Sequence, residues 1–149
     1  ISQTCKLERS SYIKIATIRN PWERYVGLYE FLKKTPTHFM HKIANDCTFS
    51  AFISNICQGN CTFDMQPQIN FLFDKNGELD IDYIFRFEQP GEIQKFFTRR
   101  GYDFQDIEIT SRPKNLKNYY TPQLAKIITS MCWFETKYFG YTAPLLTDT

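Results

Sequence analysis

The chain has 149 residues with a formal net charge of +2, and 42% of its residues are hydrophobic and 17% aromatic. That composition is too apolar for a disordered chain, and the charge is too small for a surface dedicated to nucleic acid. The length suits one domain with one core, and fourteen Phe and nine Tyr predict a core built from rings.

No apolar run approaches the ~20 residues that span a bilayer, and "ISQTCKLERSS" lacks the apolar centre of a signal peptide. The chain starts with Ile rather than Met, which predicts a processed or incomplete piece of something longer. Tyr12 to Ile18, rich in β-branched and aromatic residues, predicts a buried strand. Pro21 ends that strand and suits the first turn of a helix. Asn20 is a good N-cap, and Glu23 gives the pattern of a capping box. Trp22, Tyr25, Val26 and Tyr29 share one face of this helix, and Lys33 and Lys34 suit the negative pole of its dipole.

Thr48 predicts the cap of a short helix, "FSAFISNIC", that ends before Gly59. "INFLFDKNGELDIDYIFRFE" reads as two strands about an Asn76-Gly77 turn. "PGEIQKFFTRR" reads as a helix stopped by Gly101. Thr121-Pro122 opens a last long helix with Leu124, Ile127, Ile128, Met131 and Cys132 as its apolar stripe. With no repeats or linkers in view, residues 1–149 read as a single α/β domain whose sheet is small and parallel, with flanking helices and a hairpin-like segment.

The five cysteines, Cys5, Cys47, Cys57, Cys61 and Cys132, are odd in number and too sparse for a disulfide scaffold, so they do not fix a compartment. A local Cys57–Cys61 disulfide across "QGN" fits the spacing. His38 and His41 with Cys57 and Cys61 also form a candidate zinc set. Its halves are irregularly spaced, however, and two exposed histidines are the simpler picture; no metal site is assigned. Most of the rings fall at helical or strand periods and so predict packing, with Tyr119 and Tyr120 the candidates for a role at a site edge.

The junction "KIATIRNPWERYVGLYEF" concentrates chemistry. Ligands of open α/β sheets gather at strand carboxyl ends, and a helix starting there offers N–H groups and partial positive charge. Arg19 adds a planar guanidinium suited to phosphate or sulfate oxygens. The alternative is an arginine paired with a structural acid such as Glu23 or Glu88.

"IRNPWERYVGLYEF" resembles the segment of 3′-phosphoadenylyl-sulfate-dependent sulfotransferases that binds the donor's 3′-phosphate, in the branch of heparan- and chondroitin-type carbohydrate sulfotransferases and bacterial relatives. "QPQINFLFDKNGELDIDYIFRFEQ", "NYYTPQL" and "WFETKYFGY" resemble later segments of that branch, in the same order. The resemblance implies a P-loop-NTPase-like sulfotransferase fold, of which this chain would be roughly the C-terminal two-thirds. It places Arg19 on the 3′-phosphate-binding arginine. The partner serine falls at Gly27, so that hydroxyl is missing. Arg24 matches a second arginine, read here as structural, and Glu135 stands where the family usually has Asp. Arg112 and Lys114 are candidates to close over the donor phosphate, although a solvated basic loop is the simpler account of them.

The family's phosphosulfate-gripping loop, Pro-Lys-x-Gly-(Thr/Ser)-(Thr/Ser), is absent: none of the six glycines lies in a Lys-x-Gly-Thr setting. The implied reaction is in-line transfer of a sulfuryl group from 3′-phosphoadenylyl sulfate to an acceptor hydroxyl, in all expectation a carbohydrate's. A general base would take the proton and no metal is needed; the base has no assigned residue. A non-catalytic relative with a nucleotide-binding pocket, and a partner chain completing its sheet with another polypeptide or a second copy, are the competing expectations.

Overall fold

A computed structural model of the chain describes residues 12–60, 62–103 and 115–144. Among them lie two strands, β1 (Ile15–Ile18) and β2 (Tyr83–Arg86). Six α-helices accompany them: α1 (Pro21–Lys34), α2 (His41–Asp46), α3 (Phe49–Cys57), α4 (Pro90–Thr98), α5 (Pro122–Met131) and α6 (Trp133–Tyr138). Short 3-10 turns cover Phe63–Met65, Gln68–Phe71 and Leu116–Asn118. The architecture is α/β with a two-stranded parallel sheet, Ile15 lying opposite Tyr83 and Ile18 opposite Arg86.

The cap and the proline act as expected, but the predicted capping box does not close, because the Asn20 N–H goes to Glu88 and not to Glu23. Asn20 Oδ1 accepts from the N–H groups of Trp22 (3.0 Å) and Glu23 (3.2 Å), and Pro21 occupies the first helical position, where no donor is needed. Trp22, Tyr25, Val26, Tyr29 and Leu32 are all buried on the inner face of α1. Thr48 caps α3 through Ala51 N–H and Thr121 caps α5 through Leu124 N–H. Phe49, Phe52, Ile53 and Ile56 of α3 and Leu124, Ala125 and Ile128 of α5 close the core around α1.

Further expectations need correcting. The strand expected to be buried over Tyr12 to Ile18 is the shorter Ile15–Ile18, and of its residues only Ile18 is buried, since its other face has no layer packed on it among the described residues. The hairpin is reduced to a turn with one antiparallel bridge, Phe73 to Leu79. Asp74 Oδ1 accepts from Asn76 and Glu78 N–H, which closes the turn, but "QINF" is a 3-10 turn rather than a strand. Its backbone and side chains are drawn to distant partners, described below. The last helix also breaks, at Cys132 (φ −108°, ψ 36°). Ile127 of the expected stripe is 44% exposed, and beyond the break Glu135 of α6 is fully buried.

The core rings carry polar atoms, and each finds a carbonyl. Tyr25 OH donates to Met65 O (2.9 Å), Tyr29 OH to Cys47 O (2.7 Å), Tyr120 OH to Trp22 O (3.0 Å), and Trp22 Nε1 to Ala125 O (3.2 Å). Burial pushes the Tyr25 and Tyr120 hydroxyls well above the usual tyrosine range, with Cys132 adding to both. Burial, reinforced by the Glu135 charge, pushes the Cys132 thiol from 9.0 up to about 12. These groups fold neutral. Their stabilising contribution is complete below the pH at which the unfolded thiol ionises and is lost as pH rises through the folded values. The melting temperature is therefore expected to hold on the acid side of pH 9 and to fall steadily from pH 9 toward 12, which a calorimetric pH series checks. A flat profile across that interval would mean that these groups titrate normally in the folded protein.

Candidate functional site

The end of β1 is held by two side chains from elsewhere in the sequence. Gln68 accepts the Arg19 N–H on Oε1 (2.7 Å) and returns a bond from Nε2 to the Arg19 carbonyl (2.8 Å). Glu88, just beyond β2, accepts the Asn20 N–H on Oε1 (2.6 Å) and the Tyr141 hydroxyl on Oε2 (2.9 Å). Arg86 lies 5.0 Å over the Tyr141 ring and donates to the Phe139 carbonyl. Burial, then the hydrogen bond to Glu88, raises the Tyr141 hydroxyl above the ordinary tyrosine range, so at neutral pH it remains a donor.

Within this frame the Arg19 guanidinium is largely covered, its side chain 17% exposed. It lies 4.7 Å over the Phe87 ring, and Nη2 stands 3.7 Å from Glu23 Oε2. A Cβ built on Gly27 would come within 3.3 Å of Arg19 Nη1, so the two positions singled out by the sequence adjoin. The acid expected as an alternative partner is present, and it is Glu23. Glu88 accepts the Asn20 N–H and the Tyr141 hydroxyl. The pair is a charge contact, since Glu23 Oε2 makes no hydrogen bond.

The expectation of open helix N–H donors is not met. Asn20 consumes those of Trp22 and Glu23, and Pro21 has none, so the first turn of α1 contributes its dipole rather than bonds. Arg24 points away, to the carbonyl of Asp64, and has the structural role expected of it. Tyr119 and Tyr120 do not form a site edge: Tyr119 OH donates to Glu30 (2.9 Å), Tyr120 is buried, and both rings meet Phe49 edge-on. Arg112 and Lys114 lie outside the described residues.

His41 Nδ1 sits 2.9 Å from the Leu32 carbonyl, and His38 stacks on Phe39. Cys57 is a free thiol, and Cys61 lies outside the described residues. Among the described residues no three His, Cys, Asp or Glu side chains are grouped as metal ligands, and no helix is long and apolar enough to cross a membrane.

Sequence reasoning missed Gln68, whose only local sign was a polar residue inside an apolar run after Pro67. Glu135 supports it from below: the residue is fully buried and its Oε1 accepts the Ile69 N–H at 3.3 Å. Comparison of the chain with known protein families, characterised proteins and solved structures finds no match.

Replacing Gln68 by Leu would strip the partners from two covered backbone groups of Arg19, at a cost of about 1–3 kcal/mol. Denaturant titration of Q68L should show that loss. An unaltered midpoint would mean that water serves Arg19 equally well.

Proposed function

We propose that the β1–α1 junction binds the 3′-phosphate of an adenosine 3′,5′-bisphosphate group, and that the chain carries this contact in a 3′-phosphoadenylyl-sulfate-dependent sulfotransferase. The observation behind this reading is the Arg19 guanidinium seated against Gly27, at a strand carboxyl end and at the positive pole of α1. Two of the quoted segments of resemblance also converge there: Gln68 and Glu88 come from one and Tyr141 from another, and they fix the same two junction residues or their support.

The chemistry assigned to each residue is limited. Arg19 would meet the phosphate oxygens with its fork, a stronger contact than the 3.7 Å charge pair it makes with Glu23. Gly27 leaves space for that approach. The Pro-Lys-x-Gly loop that would grip the 5′-phosphosulfate has no counterpart around the chain's glycines, which lie within α1 and α4, in the Asp74 turn, and beyond the ends of α3, α4 and α6. Sulfuryl transfer to an acceptor hydroxyl, a carbohydrate's on this reading, therefore needs that loop from a segment outside the described residues or from another chain. The proton of the hydroxyl would pass to a general base, to which no residue is assigned.

One observation favours the second reading, a chain that completes its sheet with another polypeptide. The carbonyls of Lys14 and Ile18 bond toward β2, so Ile15 and Thr17 present their backbone groups to the other edge of β1. Among the described residues no strand pairs there, and Ile13 and Ile15 are 52% and 40% exposed beside it.

Titration calorimetry with adenosine 3′,5′-bisphosphate separates the two. Binding is expected, with Arg19→Ala weakening it by about 2–3 kcal/mol. Glu23→Gln should tighten it by removing a competing charge. No heat from a folded sample would leave only the sheet-completing reading. Binding indifferent to R19A would return Arg19 to a purely structural pair.

A further inference from the structure

The turn between α1 and α2 carries an apolar stripe that the core does not use. Leu32, Met40 and Ala44 point inward and are buried. The residue before each of them, Phe31, Phe39 and Ile43, points outward at 54%, 73% and 44% exposure. The outer side chains are partly assembled already. The His38 ring stacks on Phe39 (4.7 Å) and meets Phe31 edge-on (6.2 Å).

The turn is also pre-ordered. Thr35 Oγ1 donates to the Phe31 carbonyl (2.7 Å), His38 N–H to Thr35 O (2.9 Å), and Met40 N–H to His38 Nδ1 (3.1 Å). Lys34 and Lys42 flank the rings and are exposed. The nearest acid, Glu30, is engaged by the Tyr119 hydroxyl and, at 3.8 Å, by Lys34; Asp46 lies at the far end of α2.

We propose that this tip docks the protein on an anionic bilayer surface, with Phe31, Phe39 and Ile43 entering the headgroup–acyl boundary and Lys34 and Lys42 meeting the lipid charges. Aromatic and aliphatic side chains rimmed by lysine are the composition of interfacial membrane sites, whereas lysine is depleted from protein–protein interfaces. Three projecting side chains on a convex turn also fall short of the ~800 Å² per partner that a stable protein interface buries. The pattern cannot be needed for folding, since the inward residues of the same turn already fill the core.

Co-sedimentation with phosphatidylcholine vesicles, with and without phosphatidylserine, tests this on the full chain. Binding is expected only to the serine-containing vesicles, and should weaken as salt is raised. Phe39→Ala should lower the partition coefficient roughly tenfold, and Lys34→Glu and Lys42→Glu by at least about fivefold each. At these exposures the variants should keep the wild-type melting temperature, so a loss of binding reports the surface and not the fold. Absence of binding, equal binding to uncharged vesicles, or binding indifferent to F39A would overturn the proposal. So would a concentration-dependent oligomer abolished by F39A, which would assign the face to a second copy of the chain. None of these outcomes depends on the nucleotide reading.

Discussion

The amide of Gln68 holds the backbone of Arg19 by two bonds, Oε1 to its N–H and Nε2 to its carbonyl, and so takes the place of a neighbouring strand at one residue of β1. That residue is where the chain must leave the sheet. A strand end needs its last outward-facing groups satisfied before a helix can begin, because a covered orphan costs as much as a lost hydrogen bond. Glu88 then takes the Asn20 N–H, Asn20 turns its own side chain to the first turn of α1, and Pro21 needs no donor. Each backbone group of the junction has its partner in another segment or in the cap. The guanidinium of Arg19 lies among Phe87, Glu23 and Gly27.

The same economy governs the core. α1 buries Trp22, Tyr25 and Tyr29, whose ring faces supply apolar area while their polar tips reach carbonyls near α3, in the 63–65 turn and in α5. Tyr120 returns the bond to α1 through the Trp22 carbonyl. Rings of this kind pack and tether at once, which explains how so thin a sheet can carry a structure of this length: the parallel pair is an accessory to α1, not its foundation. The cost is that the hydroxyls and the Cys132 thiol must stay protonated in the interior.

What could be read from the sequence was whatever a few neighbouring residues decide. Asn20-Pro21, Thr48 and Thr121-Pro122 mark helix starts because the caps act over three residues, and the ring face of α1 follows from its period. The 68–71 turn could not be read that way. Gln68 answers to Arg19 and Ile69 to Glu135, partners 49 and 66 residues away, and those bonds override an apolar run that otherwise favours a strand. The break at Cys132 is hidden for the same reason. A continuous stripe through Ile127 and Met131 predicts one helix, while the need to turn Glu135 toward Ile69 ends it early. At the site, Arg19 and its acidic partner were legible, since Glu23 in the first turn of α1 lies close in sequence to an arginine at the strand end. The capture of the helix donors by Asn20 was a consequence of the same cap, read for its fold but not for what it withdraws from a ligand.

That withdrawal defines what kind of anion site the junction can be. With the first N–H groups of α1 occupied, anion recognition on the proposed reading would rest on the guanidinium and on the field of the helix, and the Glu23 carboxylate already stands 3.7 Å from that charge. Glycine in the interior of a helix costs about 1 kcal/mol relative to alanine, yet Gly27 occupies such a position where any Cβ would press to 3.3 Å from Nη1. On the proposed reading, its place is explained by the room it leaves beside the arginine. A structural pair with Glu23 alone would be served equally well by an alanine and a slightly shifted side chain. An oxyanion that must share the guanidinium with Glu23 gains most from that room, because it has to come within hydrogen-bonding distance where the carboxylate stands farther off.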